Sequence, residues 1–215
     1  WTPVEWFMDA EGWQAGEPDA SGGFEVTLSG KVQGRVERFD LPGAHNRANA
    51  LAALAAARHA GVPVAVGLKA LASFSGIKRR LEVRGIVRGV TVIDDFAHHP
   101  TAIRVTLEGL RQRVGRARIL AVLEPRSNTM KLGAMKAQLP ESLADADAAY
   151  CYANNLGWDA ADALAPLGDK ARTFDDLERM VIAVAADARE GDHVLIMSNG
   201  GFGGVHDKLL AALAL

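Results

Sequence analysis

The chain has 215 residues, 49% hydrophobic and 23% charged, which is enough for one large domain or two small ones with a sizeable core. A formal net charge of -2, with the charges scattered, excludes the concentrated basic face of a general nucleic-acid-binding surface. The single cysteine, Cys151, excludes an internal disulfide and favours a buried thiol in a reducing compartment. No run of 18 apolar residues and no charged-then-apolar leader is present, so we expect no membrane span and a cytoplasmic location.

The first part of the chain predicts a β-hairpin followed by two helices. Apolar and polar residues alternate through 24–39 on both sides of SGKVQG, which is typical of a hairpin. The run from Pro42 to Gly61 is rich in helix formers and ends at a glycine, so it predicts a helix, and a shorter helix is expected over 64–72. The pattern changes after the connector FSGIKRR. We therefore expect one domain over 1–77 and another over 78–215.

In the second part, strands alternate with helices. Near-continuous apolar strands between helices are typical of an α/β fold with a mostly parallel sheet covered on both faces. Ligand sites in such sheets lie at the carboxyl ends of the strands, and three unusual motifs follow predicted strands: DDFAHHP, EPRSNTMK and MSNGGFGG. Strands are expected on either side of Arg88-Gly89 and over 118–125, 148–152 and 193–198, and helices over 100–113, 133–139, 174–189 and after the last glycines.

The motif DDFAHHP combines two carboxylates with two imidazoles. Adjacent histidines point apart on any regular element, so His98 and His99 do not predict a joint metal site. An aspartate at a strand end can accept hydrogen bonds from a ribose diol, as acidic residues do in dinucleotide folds. The alternative is that Asp94 or Asp95 caps the helix expected to begin near Pro100.

Two segments around the domain boundary offer polar and basic side chains. Asn46 and Asn49 in GAHNRAN share one helix face and suit the edge of an adenine, although an asparagine near a helix start is commonly a cap. Lys78, Arg79 and Arg80 suit phosphate oxygens, or else form a solvated surface.

The two later motifs follow strands and suit anions. EPRSNTMK, residues 124–131, has the composition for a ligand that carries carboxylates, with a plain polar loop as the alternative. MSNGGFGG, residues 197–204, lacks the lysine of a phosphate loop and the Rossmann glycine spacing. It therefore predicts a flexible turn whose backbone N–H groups can bind an anion such as a carboxylate.

In this order the motifs resemble the Mur ligase family, ATP-dependent amide-forming enzymes of bacterial cell-wall synthesis. The resemblance rests on G-x-H-N-x-x-N at 43–49, F-x-G-x-x-R-R-x-E at 74–82 and D-D-[FY]-A-H-H-P at 94–100. It implies that 1–77 is the end of the central ATP-binding domain and that 78–215 is a Rossmann-like C-terminal domain for the amino substrate. The N-terminal half, with the phosphate loop and most magnesium ligands, would be missing, so this chain alone is expected to be inactive.

Within the family, Phe96 together with EPRSNTMK and MSNGGFGG resembles the branch that joins UDP-N-acetylmuramate to the tripeptide L-alanyl-γ-D-glutamyl-meso-diaminopimelate in cell-wall recycling. The branch that adds L-alanine to UDP-N-acetylmuramate is the runner-up, because it usually carries tyrosine at position 96 and different loops. Three alternatives come from other classes: a non-catalytic nucleotide- or peptide-binding module, a folate-type polyglutamate ligase and a metal-dependent hydrolase built on DDFAHHP.

The resemblance also implies roles for individual residues, with ATP and Mg²⁺ as cofactors and no metal ligand predicted in this chain. The implied assignments are Arg80 and His98 for catalysis; His45, Asn46 and Asn49 for the adenine; Asp95 for the ribose; Arg80, supported by Arg79, for the phosphates; and His99, Arg126, Ser127, Asn128, Lys131, Ser198, Asn199 and Gly201 for the tripeptide.

Overall fold

The computed structural model describes residues 4–215 and divides the chain into two compact units, the first ending at Gly76 and the second running from Ile77 to Leu215. The first unit packs two helices against a three-stranded antiparallel sheet of order β1-β2-β3. The predicted hairpin turns at Ser29-Gly30, where both residues have positive φ, as two-residue hairpin turns require. Its elements are β1 (Trp13–Ala15), β2 (Phe24–Leu28), β3 (Lys31–Val36), α1 (Ala44–His59) and α2 (Val64–Ala72).

The core of the first unit forms where α1 and α2 cover the sheet. Trp13 and Phe24 are fully buried there, and Phe24 meets Phe39 edge to face with ring centroids 5.5 Å apart. Gly34 of β3 has a φ of 140°, and a Cβ on it would lie 2.6 Å from a methyl carbon of Leu68. The glycine therefore lets α2 approach the strand.

The second unit is built on a six-stranded sheet in the order β4-β5-β9-β6-β7-β8. The β4–β5 pair is antiparallel, and every other neighbouring pair is parallel. This is the predicted α/β fold. Its elements are β4 (Glu82–Val87), β5 (Val90–Asp95), α3 (Pro100–Val114), β6 (Ile119–Leu123), α4 (Asn128–Lys131), α5 (Leu139–Ser142), β7 (Ala148–Tyr152), α6 (Ala160–Leu164), β8 (Ala171–Phe174), α7 (Leu177–Asp187), β9 (His193–Met197) and α8 (Val205–Leu213), with short 3₁₀ turns over Lys136–Gln138, Ala165–Lys170 and Phe202–Gly204.

Both faces of the sheet are buried at its centre, which explains why β6, β7 and β9 are mainly apolar. All five residues of β6 are buried, and they alternate between the two faces as the period of two requires. Ile119, Ala121 and Leu123 join the core beneath α3, whereas Leu120 and Val122 join the core beneath α7 and α8. The helices thus cover the faces and leave the carboxyl ends of the strands accessible to loops.

Most predicted elements of the second unit are confirmed, and the errors lie in its polar connections. The helix expected over 133–139 is wrong, because Gly133 has a φ of 73° and the chain forms separate short turns there instead. The helix expected over 174–189 begins later, at Leu177, because Phe174 belongs to β8, which was not predicted.

The thiol of Cys151 is buried in the core, as predicted, and burial raises its pKa to about 12. Over residues 4–215, no helix has the length and apolar character needed to cross a membrane.

Candidate functional site

The carboxyl ends of β5, β9 and β6 are tied together by backbone hydrogen bonds. Ser198 N donates to Asp95 O at 3.2 Å, and Glu124 N donates to Met197 O at 3.1 Å. Since these three strands are parallel neighbours, DDFAHHP, MSNGGFGG and EPRSNTMK leave the sheet side by side. The prediction that the three motifs gather at one sheet edge is confirmed.

Ser198 connects two of these motifs through its side chain. Its hydroxyl donates to Glu124 Oε2 at 2.6 Å and accepts from Gly200 N at 3.0 Å. Its backbone N–H is already used by Asp95. Both donors of Ser198 are therefore used within the protein, and its predicted contact with a substrate stays a prediction. Ser198 holds the start of the glycine-rich loop, residues 199–204, against Glu124.

Asp95 is 2% exposed, and its carboxylate accepts hydrogen bonds from three segments of the chain. Its Oδ2 accepts from Leu81 N at 2.9 Å, and its Oδ1 accepts from Ala97 N at 2.8 Å and from Thr106 Oγ1 at 3.3 Å. Burial raises its pKa, and the hydrogen bonds from Ala97 and Leu81 oppose that shift. Asp95 does not cap the helix that follows. A ribose could reach the carboxylate only after the segment around Leu81 had moved.

Asp94 is also 2% exposed, and it lies at the centre of a cluster of cationic or potentially cationic groups. Its Oδ1 lies 3.4 Å from Arg79 Nε and 3.2 Å from His206 Nε2, and its Oδ2 lies 3.6 Å from Arg84 Nη1. The pKa of His206 is lowered chiefly by burial, with Asp94 opposing the shift, so the neutral ring is favoured. Arg79 and Arg84 therefore carry the compensating charge.

Arg79 turns its guanidinium inward, toward the glycine-rich loop. Its Nη2 donates to Ser198 O at 2.5 Å and to Gly200 O at 2.9 Å. Arg80, by contrast, is exposed, and its Cζ lies 5.8 Å from the ring centroid of Phe96. Of the two adjacent arginines, Arg80 is the one whose charge faces solvent and remains available for an anionic ligand.

The two histidines of the motif have different local roles. His99 accepts a hydrogen bond from Ala102 N at 3.4 Å and so caps α3. Burial, then the neighbouring His98, lowers the pKa of His99 and favours its neutral form. His98 Nδ1 lies 2.9 Å from Phe96 O, and its ring meets that of His99 at 87°. The rings are thus perpendicular, and the Nδ1 atom of each is engaged with a backbone group.

The EPRSNTMK turn presents its cations on one side of an open cleft. Ser127 caps α4 by accepting from Met130 N at 3.3 Å. Arg126 and Lys131 are exposed, line the cleft and make no hydrogen bond or ion pair with any residue of 4–215. A Cβ on Gly200 would lie 1.9 Å from Arg126 Nη1, so this arginine rests on the bare backbone of the glycine-rich loop. Asn128, also exposed, begins α4 beside them.

The predicted adenine-binding residues lie in the first unit, at the start of α1. Gly43 precedes the helix with a φ of 95°, a conformation that favours glycine. Asn46 Nδ2 donates to Pro42 O at 2.7 Å, which leaves its amide oxygen as an acceptor, and Asn49 is exposed one turn later. His45 is partly buried in the same turn. This face of α1 offers amide groups suited to a base edge.

Across residues 4–215, no three His, Cys, Asp or Glu side chains come together in a way that could hold a metal ion. The residues described here therefore do not fit a Mg²⁺ site of their own. Most magnesium ligands were expected outside this chain.

Comparison with known proteins agrees with the geometry. A family model described as Mur ligase, glutamate ligase domain, matches residues 79–200. The whole chain is 48% identical to the UDP-N-acetylmuramate–L-alanyl-γ-D-glutamyl-meso-2,6-diaminoheptanedioate ligase of Escherichia coli K12, over 218 aligned residues. The chain belongs to the Mur ligase family. It covers 47% of that relative's length, so it spans about half of the full-length ligase.

Other Mur ligases also match this chain, some in sequence and some in fold. The UDP-N-acetylmuramate–L-alanine ligase of Mycobacterium marinum is 34% identical over 89% of the chain and 41% of its own length. The crystal structure of a murein peptide ligase from Psychrobacter arcticus 273-4 matches with a TM-score of 0.73 and 37% identity, over 97% of this chain and 45% of that one. The UDP-N-acetylmuramate–alanine ligase of Thermotoga maritima, at 23% identity and a TM-score of 0.76, shares the fold over 93% of this chain and 45% of its own.

Sequence reasoning missed the opposite wall of the cleft in this Mur ligase domain. The wall comes from the turn after β7, where Asn154 Nδ2 donates to the Tyr152 hydroxyl at 3.0 Å. The strand-end rule that found the other motifs applies equally to YANNLGW, since it follows the predicted strand 148–152. The cleft has a volume of about 300 Å³, and its lining comprises Glu124, Pro125, Arg126, Lys131, Tyr152, Asn154, Asn155, Leu177, Phe202 and Gly203.

Proposed function

We propose that the full-length protein, of which this chain spans about half, is an ATP-dependent ligase that joins UDP-N-acetylmuramate to L-alanyl-γ-D-glutamyl-meso-diaminopimelate in cell-wall peptide recycling. The observation that carries the proposal is 48% identity over the whole chain to the Escherichia coli ligase named for that tripeptide. Identity to the L-alanine ligase of Mycobacterium marinum is 34%. The identity therefore favours the tripeptide over free L-alanine as the amino substrate.

The cleft beside the glycine-rich loop supports a multiply charged amino substrate. The tripeptide carries several carboxylates, whereas L-alanine carries one. Arg126 and Lys131 present two cations with no partner among residues 4–215, and Asn128 adds an amide beside them. Arginine binds carboxylates through two parallel hydrogen bonds, which provides orientation as well as affinity. We assign the tripeptide carboxylates to these residues, and we extend the assignment to Asn199, the backbone of Gly201 and His99 as the sequence predicts.

The proposed chemistry is activation of the muramoyl carboxylate as an acyl phosphate, followed by attack of the alanyl amine through a tetrahedral intermediate. ATP supplies the phosphoryl group. The residues of this chain bind and orient: His45, Asn46 and Asn49 the adenine, and Arg80 the phosphates with Arg79 supporting it. Charge stabilisation by preorganised donors and positioning of the amine provide most of the rate enhancement in such reactions. His98, whose ring centroid lies 5.3 Å from that of Phe96, a ring that Arg80 also faces, is assigned to the reacting end of the site.

Asp95 is the weakest of the assignments to the nucleotide, because its oxygens already accept three hydrogen bonds and it is 2% exposed. No step of the reaction is assigned to it. Neither is any step assigned to a metal ligand within residues 4–215.

Calorimetric titration of the chain with the tripeptide tests the proposal. We expect measurable binding that falls by tenfold or more in Arg126→Ala, because a charge-assisted hydrogen-bond pair contributes about 1.5–3 kcal/mol. Arg116→Ala is the matched control, since Arg116 is an exposed arginine that precedes β6 and so lies at the opposite end of that strand. Its titration should match that of the unmodified chain.

A second arm separates the two amino substrates. With the full-length protein, ATP and UDP-N-acetylmuramate, we expect product with the tripeptide and little with L-alanine. Faster product formation with L-alanine would overturn the proposal in favour of the L-alanine ligase. If the chain alone binds nothing, titration of the full-length protein in the presence of a non-hydrolysable ATP analogue decides whether the site needs the other domains or the substrate is wrong.

A further inference from the structure

The segment that carries Arg79 is held in an unusual conformation next to the site. Arg79 has a φ of 60° and Leu81 a φ of 48°, left-handed values that are costly for residues other than glycine. Arg79 N donates to Glu82 Oε2 at 2.8 Å, and Arg79 O accepts from Phe96 N at 2.9 Å. Such strain persists where the surroundings fix it, and at functional sites it commonly serves positioning.

This conformation directs the Arg79 side chain toward the glycine-rich loop within the second unit. One side of its guanidinium faces the buried Asp94, and Nη2 donates to the carbonyl oxygens of Ser198 and Gly200, which lie 119 and 121 residues further along the chain. A single charged donor thereby fixes two carbonyl groups at the start of the glycine-rich loop. Charge-assisted hydrogen bonds are about twice as strong as neutral ones, so the loop backbone is well anchored at this point.

Both backbone polar groups of Gly200 are hydrogen-bonded, and its Cα faces the side chain of Arg126. Its N–H donates to Ser198 Oγ at 3.0 Å, and its carbonyl accepts from Arg79 at 2.9 Å. A Cβ on Gly200 would lie 1.9 Å from Nη1, 2.6 Å from Cζ and 2.8 Å from Cδ of Arg126. The φ of Gly200 lies outside the left-handed range, so space rather than backbone conformation requires glycine here.

We propose that Arg79 and Gly200 are positioning residues for Arg126: Arg79 fixes the peptide planes of the glycine-rich loop, and the bare Gly200 is the platform on which the Arg126 guanidinium lies. The inference rests on the proposed function only in taking a carboxylate as the ligand of Arg126. It gives Arg79 a role in the amino-substrate site in addition to the support it provides to Arg80.

A double-mutant cycle tests whether Gly200 acts through Arg126. Gly200→Ala pushes the guanidinium aside, so tripeptide binding should weaken about tenfold while the melting temperature stays within a few degrees. In the Arg126→Ala background the same Gly200→Ala change should have almost no effect on binding, because residues that act together are not additive. Gly16→Ala is the control, since its Cβ would meet atoms at an ordinary 3.7 Å in the first unit. An equal loss of binding from Gly200→Ala in both backgrounds would overturn the proposal.

Arg79 is tested against Arg84, which also faces Asp94, at 3.6 Å, and makes no hydrogen bond to the loop carbonyls in the described residues. Arg79→Gln should speed amide hydrogen exchange over residues 199–204 by tenfold or more and weaken tripeptide binding, whereas Arg84→Gln should do neither. Equal effects of the two changes would show that Arg79 only balances the charge of Asp94.

A measurement without ligand keeps this inference separable from the proposed function. Nitrogen-15 relaxation of the Arg126 Nε–H should show a restrained side chain in the unmodified protein and a mobile one in Gly200→Ala. If the tripeptide does not bind but this difference is present, the positioning stands and the substrate is wrong. A side chain equally mobile in both proteins would overturn the positioning whatever the substrate.

Discussion

The two ends of the six-stranded sheet carry similar residues and use them differently. At the amino end, Asp147 accepts from Ile119 N at 2.8 Å and from Arg111 Nη2 at 2.6 Å, and Asp192 accepts from Arg118 at 3.0 Å. At the carboxyl end, Arg126 and Lys131 have no such partners among residues 4–215. Charges that are satisfied internally stabilise the fold, whereas charges left open are available to a ligand.

The carboxyl end is itself divided in the same way. DDFAHHP, the motif that draws most attention in the sequence, contains the two buried aspartates of this end, Asp94 and Asp95. Both are fully engaged with neighbouring segments. EPRSNTMK is less conspicuous, yet it supplies the exposed cations. A dense motif is therefore not by itself the part of a site that contacts the ligand.

The largest expected effect is on stability at the amino end. Asp192 is buried and accepts from Arg118 Nη1 and from Arg189 N, so Asp192→Ala leaves a partly buried guanidinium and an amide without their acceptor. We expect the free energy of unfolding to fall by about 2 kcal/mol, less than for a fully buried pair because Arg118 is partly solvated. Urea unfolding measures the loss. Tripeptide binding under folding conditions should be unchanged; weaker binding with unchanged stability would contradict the division between the two ends.

A smaller effect is expected where the EPRSNTMK turn meets the next loop. Trp158 Nε1 donates to Met130 O at 2.7 Å, and Gly157 N donates to Lys131 O at 3.1 Å. Trp158→Phe removes the first of these bonds and keeps an aromatic ring at the position. We expect a loss of about 1 kcal/mol in the free energy of unfolding, together with several-fold weaker tripeptide binding, because α4 carries the cations. Thermal unfolding and calorimetry measure the two. A variant that loses stability and binds normally would show that α4 is held by its own Ser127 cap.

The sequence predicted the parts of the fold that depend on local pattern. The apolar strands β5, β6, β7 and β9 stand out because both faces of the sheet are buried. In contrast, β8 is four residues long, lies at the sheet edge and is only partly buried, so its composition resembles a loop. The short helix α6 was missed for a similar reason, since five residues give too little periodicity to detect.

The site was predictable as a location and less so as a set of contacts. The strand-end rule placed three motifs correctly at one edge and, applied once more, would have found Asn154 and Asn155. The inward turn of Arg79 was not predictable, because its acceptors are backbone carbonyls more than 100 residues away and leave no mark in the sequence. The capping role of His99 was missed because aspartate is the more usual cap.

The smallest expected effect is on the pH dependence of stability, to which Asp147 and Asp95 contribute with opposite signs. Burial tends to raise the pKa of Asp147, but the hydrogen bond from Ile119 N and the Arg111 guanidinium outweigh burial and hold that pKa below 3.8. Burial dominates at Asp95 and raises its pKa above 3.8. Asp147 therefore stabilises the folded state at neutral pH, and this contribution is lost as pH falls below about 4 through its folded pKa. Asp95 has the opposite sign: its ionisation opposes folding, so stability recovers as pH falls through its raised pKa toward 3.8.

Carbon-13 titration of the two carboxyl groups, with urea unfolding at each pH, measures both contributions. The stability difference between the unmodified chain and Asp147→Asn should be constant above about pH 5 and shrink below pH 4. The stability difference between the unmodified chain and Asp95→Asn should instead change between about pH 4 and the raised pKa of Asp95, and it should be constant below about pH 4. If both aspartates titrate below 3.8, the hydrogen bonds from Leu81 N, Ala97 N and Thr106 Oγ1 outweigh burial at Asp95. The carboxylate would then be held more firmly by the protein itself, and its assignment to the ribose would lose support.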